Sequence, residues 1–107
     1  MSPEVFNLLA SLPATGDSED FQTLLETDLV RIERIVSDGQ RSEPDFWYDQ
    51  PHDEWVMLVR GEAVLEFEGG EMRELRPGDS VNIPARCAHR VAWTGPRTVW
   101  LAIHVFG

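Results

Sequence analysis

Every imidazole group in this 107-residue chain belongs to one of three residues, His52, His89 and His104. Any acid–base or metal chemistry that needs an imidazole must therefore use these positions. The nine basic residues are all arginine, so the chain contains no lysine. The composition consequently excludes a Schiff-base lysine and the lysine of a phosphate-binding P-loop.

Three side chains with metal-binding atoms alternate around His52. If the backbone from Gln50 to Glu54 is extended, Gln50, His52 and Glu54 point to the same side, each about 6.6 Å from the next. Amide oxygen, imidazole and carboxylate are all ligands for borderline metals such as Fe, Mn and Zn. Pro51 argues against a regular strand, which leaves a loop position for His52 as the alternative.

A single cysteine, Cys87, excludes an intrachain disulfide and is interpreted as a buried, inert thiol rather than a nucleophile. Arg86 and Arg90 flank it in sequence. These two arginines could hold a carboxylate substrate, or they could pair with the surplus acidic residues.

The elements that must position these residues are short apolar segments separated by turn residues. Turn signals recur about every 8–12 residues, which is typical of an all-β sandwich or barrel. The predicted strands are Leu29–Val36, Trp55–Val59, Ala63–Phe67, Met72–Leu75, Ser80–Ile83, Val91–Trp93 and Thr98–Val105. Residues 29–107 are predicted to form the barrel. Residues 1–28 are predicted to be a short irregular extension that packs on it, with 21–26 left undecided.

Two segments resemble the conserved motifs of the cupin superfamily. The first runs from Glu54 to Gly61 and places a glutamate seven residues before a glycine, and the second runs from Gly78 through Pro84 to His89. The resemblance covers residues 40–93. It implies an all-β cupin barrel, also called a double-stranded β-helix or jelly roll. It also implies one divalent metal ion, which family members hold with three histidines and one glutamate.

The resemblance transfers only part of that ligand set to this chain. Glu54 and His89 match the glutamate of the first motif and the histidine of the second. The two histidines expected before Glu54 are replaced by Tyr48 and Gln50, or by Trp47 and Asp49 with the longer spacing. Arg86 and Trp93 stand where the second motif has glycine and asparagine. The predicted metal site is therefore Glu54, His89, Gln50 and His52.

Further side chains are predicted to line the pocket of such a barrel. They are Trp47, Tyr48, Arg86, Trp93 and His104. The aromatic residues among them could stack on a ligand or belong to the core. For His104, packing in a subunit interface is the preferred interpretation and pocket lining is the second.

Two functions follow from the resemblance and from its gaps. One is a small cupin that binds Fe, Mn, Zn or Ni, with oxygenase- or isomerase-like activity on a small molecule. The other is a non-catalytic module that binds a metabolite without metal. No organic cofactor is predicted.

Charge and patterning bear on partners and location. The net charge of −10 favours solubility and argues against a nucleic-acid partner. No apolar run approaches the ~20 residues of a membrane helix, and the N-terminus is a poor signal peptide, so a cytoplasmic protein is predicted.

Trp55, Met57 and Val59 share a face opposite Glu54. If Glu54 points inward, that apolar face points outward, which predicts a homodimer through this sheet.

Overall fold

A computed structural model describes residues 2–107 and contains eight β-strands. Their bounds are β1 (Asp20–Glu26), β2 (Val30–Ser37), β3 (Asp53–Arg60), β4 (Ala63–Phe67), β5 (Glu71–Leu75), β6 (Ser80–Ile83), β7 (His89–Thr94) and β8 (Thr98–Val105). Strands β2 to β8 coincide, within one or two residues at most ends, with the apolar segments of the sequence. Within residues 2–107 no helix is long and apolar enough to cross a bilayer.

The strands form two antiparallel sheets that face each other. One sheet has five strands in the order β1-β2-β8-β3-β6, and the other has three in the order β5-β4-β7. Alternation along each strand sends one set of side chains between the sheets. The core there consists of Val56, Leu58, Ala63, Leu65, Leu75, Ile83, Trp100 and Ala102.

The undecided stretch of the sequence is the edge strand β1. It pairs with β2, from Asp20 opposite Val36 to Glu26 opposite Arg31, with a register shift between Thr23 and Leu25. Most of its side chains are exposed, so it has little hydrophobic periodicity for a sequence reading to detect. Backbone hydrogen bonds to β2 hold it, and residues 20–26 therefore extend the five-stranded sheet.

The segment before β1 is irregular and is held to the barrel by arginines. Arg97 donates to the carbonyl oxygens of Pro13 at 3.1 Å and Leu12 at 3.3 Å, and Arg34 donates to that of Leu8 at 3.3 Å. The guanidinium of Arg34 also lies over the Phe6 ring, 5.0 Å from its centroid. The boundary at residue 28 between extension and barrel remains a prediction.

Strand β8 crosses the centre of the five-stranded sheet, between β2 and β3. Trp100, Ala102 and His104 on this strand are each at most 4% exposed and point into the barrel, whereas Val105 is 43% exposed. The preferred interpretation of His104 as an interface residue is therefore wrong. Its side chain follows the alternation set by Trp100 and Ala102, which brings it to the inner face.

Two tight turns require glycine. Gly78, which follows Pro77, has a φ of +94°, as a Pro-Gly turn predicts. Gly61, between β3 and β4, has a φ of +92°, and a Cβ atom there would lie 2.4 Å from Thr98 Oγ1 and 2.7 Å from Thr98 Cα. The β3–β4 turn is thus packed directly against the start of β8.

Candidate functional site

One cavity of about 270 Å³ lies between the two sheets. Its walls are mostly apolar, formed by the inner faces of strands from both sheets. Its polar side chains are Glu19, Arg31, Glu33, Tyr48, Gln50, Glu54, His89 and His104. By volume it suits a small metabolite, because pockets for drug-sized ligands usually occupy ~300–1,000 Å³.

Glu54 and His89 lie next to each other in the wall of this cavity. Glu54 is the second residue of β3 and shares its inward face with Val56 and Leu58, whereas His89 begins β7. Glu54 Oε1 lies 3.9 Å from His89 Nε2, and the two side chains are 11% and 6% exposed. His89 Nδ1 is 2.9 Å from the carbonyl oxygen of Cys87. A carbonyl only accepts, so Nδ1 carries hydrogen and the neutral ring presents the lone pair of Nε2 to the cavity.

Tyr48 and Gln50 complete this side of the cavity from the loop before β3. Tyr48 forms a two-way backbone bridge with His89, at 2.7 and 3.0 Å, and their rings stack with centroids 5.3 Å apart. Gln50 Nε2 donates to Glu54 Oε1 at 2.9 Å. Burial, together with the negative charges of Glu19, Glu54 and Glu33, raises the pKa of Tyr48. Its hydroxyl group therefore stays protonated and can donate a hydrogen bond.

His52 does not join Gln50, Glu54 and His89. Its Nε2 lies 2.9 Å from His104 Nδ1, and His104 Nε2 lies 2.9 Å from Glu33 Oε1. Because the carboxylate of Glu33 accepts from His104, the neutral His104 ring accepts from His52 at its other nitrogen. Burial lowers the pKa of His52, the positive charge of Arg31 lowers it further, and protonation of His104 would act in the same direction.

The structure consequently brings together only three of the four predicted metal ligands. Glu54, His89 and Gln50 converge on the cavity, whereas His52 is committed to His104. No group of three or more His, Cys, Asp or Glu residues suited to a metal ion occurs within residues 2–107. The residues present thus do not reproduce the four-ligand site implied by the resemblance.

Three residues predicted to line the pocket lie outside it. Trp93 is 40% exposed because β7 contains a bulge: Val64 pairs with Trp93 but Leu65 pairs with Val91, which leaves Ala92 unpaired. Val91 and Trp93 therefore point to opposite faces despite their two-residue spacing.

The other two are Trp47 and Arg86. Trp47 is 37% exposed, since its neighbour Tyr48 takes the inward position. Arg86 occupies an exposed turn with a φ of +65° and pairs with Asp49 at 3.4 Å. Arg90 likewise pairs with an acidic residue, Glu66, at 2.7 Å, so neither arginine is free to clamp a substrate.

Sequence reasoning missed three charged residues of the cavity: Glu19, Arg31 and Glu33. For two of them a signal existed, because Arg31 and Glu33 alternate with apolar residues in β2 and share the face of Ile35. Charged residues on an otherwise apolar strand indicate an interior that contains a polar site. Glu19 precedes β1 and carries no such pattern.

Fold and site together define a small antiparallel β-barrel protein with a cavity between its sheets that is lined by carboxylate and imidazole side chains. The Cupin domain family matches residues 34–105. The chain therefore belongs to the cupin family. No curated protein matches it.

Solved structures resemble the chain over its whole length. A putative mannose-6-phosphate isomerase from Ralstonia eutropha JMP134 is 52% identical, with a TM-score of 0.92 over 98% of this chain and 100% of that one. A cupin superfamily protein from Desulfitobacterium hafniense DCB-2 is 24% identical, with a TM-score of 0.81 over 99% and 94%. KdgF from Halomonas sp. is 20% identical, with a TM-score of 0.74 over 87% and 84%. The last two similarities bear on the fold alone.

Proposed function

We propose that this cupin binds a small organic molecule in the barrel cavity and moves a proton on it, as in an isomerase. The observation that carries the proposal is the pairing of Glu54 Oε1 and His89 Nε2, 3.9 Å apart in the wall of the cavity, with His89 Nε2 directed at the cavity. A buried imidazole beside a carboxylate is a common general acid–base pair. The name of the 52% identical relative, a putative isomerase, supports the same reaction class.

The chemistry needs only residues of the chain. His89 Nε2 would take a proton from the carbon next to a carbonyl group, and Glu54 would stabilise the resulting imidazolium. The Tyr48 hydroxyl would donate a hydrogen bond to the oxygen on which negative charge develops. The carbon that loses its proton must carry a hydroxyl group, whose own proton passes to the former carbonyl oxygen. Return of the abstracted proton to the former carbonyl carbon then completes the isomerisation without an oxidant or reductant.

Deuterium exchange tests this proposal. Protein treated with a chelator is mixed with aldoses, ketoses and their amino derivatives in D₂O, and deuterium at the carbon beside the carbonyl is followed by ¹H NMR. We expect exchange with at least one probe, and a loss of about 100-fold or more in both Glu54→Gln and His89→Gln. The exposed Trp93→Ala is the control. Exchange at the wild-type rate in both site variants would contradict the proton-transfer role.

Binding without turnover is the alternative outcome of the same experiment. A probe that raises the melting temperature of the wild-type protein, but shows no exchange, would indicate a metabolite-binding module. Failure of every probe to bind at millimolar concentration would contradict a sugar-like ligand.

A divalent metal ion is the second candidate for this site. It is favoured by the convergence of Gln50, Glu54 and His89, two of which match the cupin motifs. Elemental analysis of protein purified without chelator, followed by titration with Fe, Mn, Zn and Ni, tests it. Binding should require Glu54 and His89, and less than about a tenth of an equivalent, unrecovered on adding metal, would contradict a metal site.

The remaining expectations stay predictions. They are a cytoplasmic location, the absence of nucleic-acid and membrane partners, and association into a homodimer.

A further inference from the structure

We propose that the cavity selects a small organic cation, such as an amine, over neutral analogues and over phosphorylated or carboxylated molecules. The inference rests on the proposed function, in that it assumes a ligand in this cavity, and it adds the charge class of that ligand. It is carried by the carboxylates Glu19, Glu33 and Glu54, and by the aromatic rings beside them.

The carboxylates of the cavity outnumber its permanent cations. Three glutamates face one arginine, Arg31. Two carboxylates already lie near the Arg31 guanidinium, since Nε is 3.8 Å from Glu33 Oε2 and Nη1 is 4.0 Å from Glu26 Oε2, although Nε is buried and makes no hydrogen bond to any of the described residues. The group also lies 5.5 Å from the centroid of Phe106. The excess negative charge therefore remains on the other carboxylates.

Glu54 is the buried carboxylate without a permanent cation. Its side chain is 11% exposed, its hydrogen bond comes from the neutral amide of Gln50, and within residues 2–107 no arginine forms an ion pair with it. Taking a carboxylate out of water is costly unless a positive charge compensates it. A cationic group in the cavity would supply that compensation. The pKa of Tyr48 is raised chiefly by burial and further by the negative charges of Glu19, Glu54 and Glu33.

The apolar part of the cavity suits the body of such a cation. Phe21, Tyr48 and Trp100 contribute aromatic rings, and Trp100 is 3% exposed. The face of an aromatic ring attracts ammonium groups, most strongly when the pair is shielded from water. Rings and carboxylates in one small cavity thus recognise both the charge and the hydrocarbon portion of an amine.

A phosphate group would meet one arginine in the cavity, Arg31, beside three glutamates. The chain has no lysine. The arginines nearest in sequence to His89 are occupied elsewhere, Arg90 by Glu66 and the carbonyl oxygen of Ser42, and Arg86 by Asp49. A sugar phosphate would bring its negative charges beside Glu33 and Glu54. The inference therefore departs from the substrate named for the 52% identical relative.

Two sets of probes that share a body and differ in charge test the inference by calorimetry on the whole chain. The first is glucosamine, glucose and glucose 6-phosphate, and the second is butylamine, butanol and butyrate. In at least one set we expect the amine to bind about tenfold or more tightly than the neutral member, and about 100-fold or more tightly than the anion. Increasing salt should weaken binding of the amine.

A variant and its matched control assign the effect to the cavity. Glu54→Gln should reduce the preference for the amine about tenfold, whereas Glu68→Gln, which removes an exposed carboxylate, should leave it unchanged. Equal binding of amine and neutral probe, or tighter binding of an anion, overturns the charge class while the proposed ligand cavity stands. If no member of either set binds below about 10 mM, the proposed small-molecule function is overturned together with this inference. Comparison of the amine, neutral and anionic probes on the wild-type protein tests the charge preference even if Glu54→Gln fails to fold.

Discussion

Ser37 connects the core to the cavity through a single hydroxyl group. It is fully buried and accepts a hydrogen bond at 3.0 Å from Trp100 Nε1, while its own hydroxyl donates to Glu19. A buried indole N–H needs such an acceptor, because leaving it unpaired costs roughly 1–3 kcal/mol. The network fixes the Trp100 ring as one wall of the cavity and holds Glu19 at its edge.

The cost of burying Glu19 gives a pH-dependent prediction. Burial raises the pKa of Glu19 above the usual 4.5 of a glutamate, and the hydrogen bond from Ser37 opposes that shift. A carboxyl group whose pKa is higher in the folded state adds most stability below its unfolded pKa. It loses that contribution as the pH rises through its folded pKa. We expect Glu19→Gln to stabilise the protein at pH 7.5 by about 0.5–1 kcal/mol, and the gain to vanish below pH 4.5.

Denaturant unfolding of both proteins across this pH range measures the effect. Asp17→Asn is the control, since it removes a nearby exposed carboxylate and should give no such pH-dependent difference. A gain for Glu19→Gln that is constant with pH would contradict burial as the cause.

At the scale of elements, one bulge decides which residues of β7 reach the cavity. His89 and Val91 both line it, and regular alternation would add Trp93. The unpaired Ala92 reverses the alternation, so Trp93 faces outward and Thr94 inward. Thr94, the last residue of β7, is therefore buried. Its hydroxyl group donates a hydrogen bond to the backbone carbonyl oxygen of Gln40 at 2.5 Å.

The β3–β4 turn gives a second prediction at this scale. Gly61→Ala should destabilise the fold by about 3–5 kcal/mol, because it combines a positive φ with a steric clash against Thr98 backbone and side chain. Gly69→Ala should cost only about 1–2 kcal/mol, since its φ of +97° is similar but no atom lies within 4 Å of the added Cβ. Equilibrium unfolding of both variants measures the difference. Equal losses would show that the contact with Thr98 has no energetic weight.

At the scale of the whole molecule, the charge of the cavity has the same sign as the net charge of −10. A field of one sign extending from surface to cavity raises the local concentration of cations and lowers that of anions. The overall charge therefore favours the same ligands as the cavity. High salt should weaken this contribution to the preference for cations, because the Debye length falls to ~3 Å at 1 M.

The outer face of the five-stranded sheet bears on association. Trp55 pairs with Ile103, and Ile103 pairs with Ile32, so three large apolar residues form a row across β3, β8 and β2. All three are half-buried in the single chain. We expect light scattering to give twice the 12.2 kDa mass of one chain. Trp55→Glu should raise the dimer dissociation constant about 100-fold or more, and Trp93→Glu on the other sheet should not. A wild-type mass of one chain would contradict the dimer.

The sequence by itself determined the barrel and two residues of its site. Strand positions follow from local alternation and turn chemistry, which depend on neighbours within a few residues. Glu54 and His89 stand at motif positions, and their strands bring them to one cavity. Gln50 also reaches Glu54, but through a bend before β3 rather than through the extended backbone on which the prediction was based.

Only the tertiary structure decided which partner each of the other polar side chains contacts. Whether His52 contacts Glu54 or His104 depends on β8, which lies 52 residues away in the chain at the contact. The inward position of Glu33 depends on its pairing with that same strand. The outward position of the Trp93 side chain depends on a register shift between β4 and β7. Such contacts join residues that are distant in sequence, and no local pattern encodes which of several polar partners each side chain meets. The charge of the cavity became visible only when these strands were brought together.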